Sequence, residues 1–211
     1  MPTPSAQAAL DILRDSSQFQ WYVIPLLAIT MYIYALEAEN NNWNGFFAGL
    51  AFWGMDWFNE IWNGLVFHFT QYAPVWGAPG QTAFLILIGL NIEICFMFAI
   101  AGIGWSKLLL KDKHARILGI PNRWFIAVIG SLFCVAVEMG LNFIGALTWN
   151  YSWWCISAPW LIFLVGYLPF FLVAFWVYDM DSIKKKAITV TSIFTVDILC
   201  LITFGGILGW I

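Results

Sequence analysis

Six long apolar runs, at roughly 20–38, 44–70, 82–106, 123–147, 156–178 and 187–211, alternate with shorter polar segments that hold most of the charge. Each run reaches or nearly reaches the roughly 20 apolar residues that a helix rising 1.5 Å per residue needs to cross a bilayer. The pattern therefore predicts an all-α polytopic membrane protein, a bundle of about six transmembrane helices forming one domain over 1–211. Residues 1–19 contain no apolar run and lack the basic start and small-residue cleavage site of a signal peptide. The first span is expected to be retained, and Ala9, Leu10, Ile12 and Leu13 give the leader an apolar face suited to the membrane interface. Pro25 and Pro169 are expected to bend the spans that hold them.

Composition narrows the class further. Hydrophobic residues make up 62% of the 211, charged residues 10% and aromatics 19%, whereas a soluble domain carries about 25% charged residues. Mean hydropathy is +0.80. A net charge of -3, with no basic stripe to neutralise phosphates, excludes a nucleic-acid partner. Cys95, Cys134, Cys155 and Cys200 form no CxxC pair and are expected to pack as small apolar side chains.

Of the nine lysines and arginines, Lys107, Lys111, Lys113, Arg116 and Arg123 fall between spans three and four, and Lys184, Lys185 and Lys186 between spans five and six. Two spans separate these groups, which places both on one side. The positive-inside rule makes that side cytoplasmic and puts both termini, the 71–81 loop and the Trp-rich 148–155 loop on the other. The 38–43 loop then falls on the cytoplasmic side without a positive charge.

The candidate chemistry lies in acids inside apolar runs. Asp56 and Glu60 on span two, Glu93 on span three, Glu138 on span four and Asp197 on span six all fall near the middles of their segments and are expected to form one layer at mid-membrane. Each costs about 2.5 to 3.5 kcal/mol to place there, so an intramembrane acid calls for a function. Buried polar groups also tie helices together, an explanation that weakens when five acids share a depth. Trp53, Asp56, Asn59, Glu60 and Asn63 recur at three or four residues. Ser131, Cys134, Glu138, Asn142, Gly145 and Trp149 do the same, giving two helices a polar stripe. No lysine or arginine lies in the interior of any span to balance the acids. A carboxyl group buried without a cation is most stable in its neutral form, and a neutral carboxylic acid can donate a proton. Trp53 and Trp57 beside Glu60 would offer aromatic faces to a cation.

Four outcomes follow: proton donation to a bilayer-dissolved apolar substrate, a proton or cation path, an oxygen-only Mg²⁺ or Mn²⁺ site using Asp56, Glu60, Glu93 and Glu138, or a cationic substrate. His68 is too far along the helix from Glu60 to share a metal with it, and the HExxH pattern is absent. No metal or cofactor is therefore expected. A structural subunit of a larger membrane complex, its acids paired with a partner's cations, is a further alternative.

The stretch Met55-Asp56-Trp57-Phe58-Asn59-Glu60-Ile61, followed by Leu65-Val66-Phe67, resembles the small integral-membrane terpene cyclases of fungal meroterpenoid and indole-diterpene pathways and their bacterial relatives. The resemblance covers about residues 30–70. It implies metal-independent acid catalysis on an epoxide or alkene of a prenylated substrate, with Glu60 as the proton donor and Asp197 as the nearest match to a second acid. This sequence departs from the family's pattern in its six spans instead of seven, in lacking a Trp directly before Glu60, and in lacking a Tyr after Asp197. The Gly145–Trp149 and Trp153-Trp154 region also faintly resembles membrane carotenoid hydratases, which protonate an isoprenoid alkene. On this reading Asp56, Asn59, Asn63, Glu93, Glu138, Asn142, Trp53 and Trp57 bind substrate or orient the acids. The partners are a lipophilic small molecule and membrane lipid.

Overall fold

The computed structural model describes residues 1–211 as a mostly helical bundle with two short hairpins. The helices are α1 (Pro4–Ile12), α2 (Val23–Glu39), α3 (Trp43–Thr70), α4 (Ile92–Ser106), α5 (Asn122–Phe143), α6 (Pro159–Tyr178) and α7 (Ile183–Ile207). Strands β1 (Leu85–Leu87) and β2 (Leu90–Asn91) pair antiparallel ahead of α4, and β3 (Arg116–Ile117) and β4 (Ile120–Pro121) pair ahead of α5.

Three helices, α5, α6 and α7, are long and apolar enough to cross a membrane. The other three predicted spans each contain a helix, but α2 has 17 residues and α4 only 15, and the 28 residues of α3 are interrupted by its polar stripe. The largest difference from the sequence pattern is at 82–91, which forms a hairpin instead of the first turns of a span. Asn91 explains where α4 starts. Its side-chain oxygen accepts from the Ile94 N–H at 2.8 Å, satisfying one of the donors that a helix start leaves free. At 1.5 Å per residue, α4 is about 22 Å long.

α3 is the central helix and packs against α2, α4, α6 and α7. Small residues allow the closest of these approaches: a Cβ on Gly102 of α4 would lie 2.5 Å from the Phe52 Cβ and 2.9 Å from the Ala48 carbonyl. Phe52, Phe98, Phe170 and Phe171 pack in the core beside this contact.

Two ion pairs define one end of the bundle. Lys107 meets the buried Glu37 at 2.5 Å, and Arg123 donates from Nε and Nη2 to the two oxygens of Asp179. The 38–43, 107–121 and 179–182 segments therefore share that end. Lys186 extends along α7 and donates to the carbonyls of Val177 and Tyr178 at the close of α6. At the other end, the Thr3 N–H donates to the Tyr72 carbonyl, the Ser5 hydroxyl to the Asn150 side chain, and Trp210 stacks on His68 at 4.7 Å. Both termini thus lie with the 71–91 segment and the 144–158 loop.

α6 contains a wide turn with π-helical bonding over Ile162–Tyr167. Pro169 lacks the N–H that would continue regular bonding, and π-turns occur often at functional sites.

Candidate functional site

α3, α4, α5 and α6 line an apolar cavity of about 330 Å³. Asp56, Glu60 and Glu138 border it, each no more than 5% exposed. Its aromatic wall includes Trp76, Trp154, Tyr167 and Phe170, and no lysine, arginine or histidine lines it.

The two glutamates are held in the same way by residues from two loops. The Trp76 indole N–H donates to Glu60 Oε1 at 2.8 Å, and the Trp149 indole N–H donates to Glu138 Oε1 at 3.0 Å. The loops pair through one antiparallel bridge. Gly77 N–H donates to the Thr148 carbonyl at 3.0 Å, and Thr148 N–H to the Gly77 carbonyl at 2.8 Å. Each tryptophan is the chain neighbour of a bridge residue, so this contact places both indoles.

Asn63 fixes the first loop. Fully buried, it accepts from the N–H groups of Val75 and Trp76 and donates to the Trp76 carbonyl at 2.7 Å. Gly89, at the hairpin turn, approaches so closely that a Cβ there would lie 2.7 Å from Glu60 Oε2 and 2.6 Å from Trp76 Cδ1. Trp76 also stacks on Trp154 with centroids 5.4 Å apart.

Several acid oxygens remain unsatisfied. Glu60 Oε2, Asp56 Oδ2 and both oxygens of Asp197 are buried without a hydrogen-bond partner. A buried acceptor left without a bond costs about 1–3 kcal/mol. Helix cohesion alone does not account for groups that make no bonds.

The predicted residues separate into three sets. Asp56, Asn59, Glu60 and Glu138 meet at the cavity, where the Asn59 amide donates to the Gly166 carbonyl in the wide turn of α6. Asn63 and Asn142 stand behind it; Asn142 donates to the Leu147 carbonyl in the turn before Thr148. Glu93, Asp197, Trp53 and Trp57 do not border the cavity. Glu93 lies in the first turn of α4, where it accepts from the hydroxyls of Tyr22 and Thr82 and from the Ala83 N–H. The hairpin that shortens α4 moves it out of the expected acid layer. Asp197 neighbours Asp56 and faces α3 near Gly54. Trp53 donates to Cys95 Sγ, and Trp57 packs in a separate cluster with Ile61, Leu87 and Leu90.

Trp76, Trp149, Trp154, Gly89 and Tyr167 were not among the predicted site residues. Tyr167 stands beside Glu138; its hydroxyl within an apolar span two residues before Pro169 is a sequence signal for it, as the polar stripe shared with Glu138 is for Trp149. No three His, Cys, Asp or Glu side chains come together in a set that could hold a metal, and the four cysteines are unpaired.

Residues 3–206 match the family model described as "Uncharacterized membrane protein family". The chain belongs to that family. A protein of Archaeoglobus fulgidus, described as "Uncharacterized protein", is 60% identical over 211 residues, the full length of both chains. A second protein of that organism with the same description is 62% identical over 53 residues, 25% of this chain and 95% of its own length. No solved structure matches. As a family of membrane proteins with apolar helices, it places the chain in a membrane.

Proposed function

We propose that the cavity binds the neutral, unsaturated or epoxide end of an isoprenoid and that Glu60, in its acid form, protonates it to start a cyclisation or hydration. The observation that carries this reading is the asymmetry of Glu60. Trp76 holds one carboxyl oxygen, while the other has no partner in a pocket of apolar and aromatic side chains. Holding one oxygen fixes the direction of the acid, and leaving the other free keeps its proton available for transfer. The faces of Trp76, Trp154 and Tyr167 are of the type that stabilises a carbocation. Glu138, oriented by Trp149, is positioned to take back a proton or to activate water. The resemblance of residues 55–61 to membrane terpene cyclases agrees with this chemistry.

In this reading α2, α3 and α4 lie in the bilayer beside the three long helices, making six crossings. The basic loops face the cytoplasm, and both termini face away from it. The test is conversion of a prenylated epoxide or polyene by the purified protein in detergent. Product formation that is lost in Glu60→Gln supports the reading, and full activity in that variant overturns it.

A second reading is favoured by Asp197, whose two oxygens are buried and unpartnered next to Asp56. Glu60, Asp56 and Asp197 then serve as a proton relay, as midplane acids do in pumps. Proton flux in proteoliposomes that is lost in Asp197→Asn supports this alternative.

A further inference from the structure

The cavity has an incomplete wall. α4 packs along α2, α3 and α6, and α5 along α6, so these two consecutive helices stand apart. Met97, Ala101 and Trp105 on α4 and Phe133, Val137 and Leu141 on α5 all border the cavity. In both sets the residues are four apart, so each forms one stripe along its helix, and the stripes flank a cleft. Met97, Phe133 and Val137 are also 45%, 58% and 38% exposed. Side chains that border an internal cavity and the outer surface together form the rim of an opening. The Trp105 and Phe133 rings meet edge to face at 5.7 Å and close one end of it.

The opening lies at bilayer depth. α5 is long and apolar enough to cross a membrane, and Phe133 falls near the middle of its 22 residues. All six rim side chains are apolar or aromatic, so the cleft faces hydrocarbon. Ligand pockets commonly span about 300–1,000 Å³, which puts this cavity at the lower limit. It accommodates the end of a long chain, and the rest must lie elsewhere. With no cationic side chain at the cavity, a phosphate or diphosphate head has nothing to neutralise it there.

We infer that the cleft between α4 and α5 is a lateral portal. A bilayer lipid with a single hydrocarbon chain enters through it with the neutral end leading, and its remaining chain and any polar head stay in the membrane. This rests on the proposed reading of the cavity as a substrate site and adds the route, the direction of entry and the chain form of the substrate.

The test uses the full chain in phosphatidylcholine nanodiscs and two long isoprenoid alcohols, one with a diazirine at its hydrocarbon end and one with a diazirine at mid-chain. Labelled residues are mapped by mass spectrometry after irradiation. The end label is expected on Trp76, Trp154 or Tyr167 and the mid-chain label on Met97, Phe133 or Val137. Ala101→Trp and Val137→Trp each put an indole in the cleft and should reduce inner labelling by about tenfold or more. Phe133→Ala should raise it. Circular dichroism and the melting temperature report whether each variant is folded. Inner labelling that is unchanged in both folded tryptophan variants and in Phe133→Ala overturns the portal and leaves the cavity reading standing. Cleft labelling without inner labelling in the unmodified protein overturns the cavity reading itself.

Discussion

Gly77 and Thr148, 71 positions apart, exchange both backbone hydrogen bonds, at 3.0 and 2.8 Å. The residue before Gly77 holds Glu60 and the residue after Thr148 holds Glu138. Two acids on different helices are thus aimed by a single contact between two loops. Replacing Thr148 with proline removes its N–H and one of the two bonds. Thr148→Pro should lower stability by about 1–3 kcal/mol and disturb both indoles, seen as a shift in tryptophan emission together with lost turnover. Thr148→Val removes only the 3.3 Å bond from the hydroxyl to Gly77 and should leave emission unchanged.

Glu60→Gln preserves an oxygen to accept from Trp76 and removes the transferable proton. Turnover should fall by about 10² to 10⁴-fold while the melting temperature stays nearly the same. A parallel collapse of stability and turnover would instead point to a structural role for the acid.

Gly89→Ala tests whether the hairpin turn positions Glu60. The added methyl would come within 2.5 Å of Asn63 Nδ2 and 2.7 Å of Glu60 Oε2, and relieving such overpacking typically costs about 1–3 kcal/mol. Activity should drop even though no acid has been changed. Gly104→Ala is the control, since nothing lies within 4 Å of a Cβ there; thermal melts and turnover of that variant should match the parent.

Asn63→Ala leaves two buried N–H donors and one carbonyl of the 75–76 loop without partners. The expected loss is about 3 kcal/mol or more, readable as a lower midpoint of unfolding. Hydrogen exchange should show faster opening at Val75 and Trp76 than in the helical core of α3.

The helices were legible because their causes are local. Apolar runs between more polar segments fix where α2, α3, α5, α6 and α7 lie, and recurrence at three and four residues puts Asp56, Asn59, Glu60 and Asn63 on one face of α3. The placement of Lys107 beside Glu37 and of Arg123 on Asp179 agrees with grouping the basic loops at one end. The start of α4 was also a local matter, but it was a competition. Residues 82–91 are as apolar as a helix, and their hairpin pairing with the Asn91 cap prevails, which leaves Glu93 bonded to Tyr22 and Thr82. The rest required tertiary structure because periodicity carries no information about partners distant in the chain. Trp76 reaches Glu60 only after the 71–81 loop folds back onto Asn63, and Trp149 reaches Glu138 only once that loop has met Thr148. Tyr167 and the cleft between α4 and α5 depend on the wide turn of α6 and on how α5 packs against it. An acid inside an apolar run is visible in sequence because its cost depends on composition. The bonds it makes, and the oxygens it leaves without any, are decided by long-range packing.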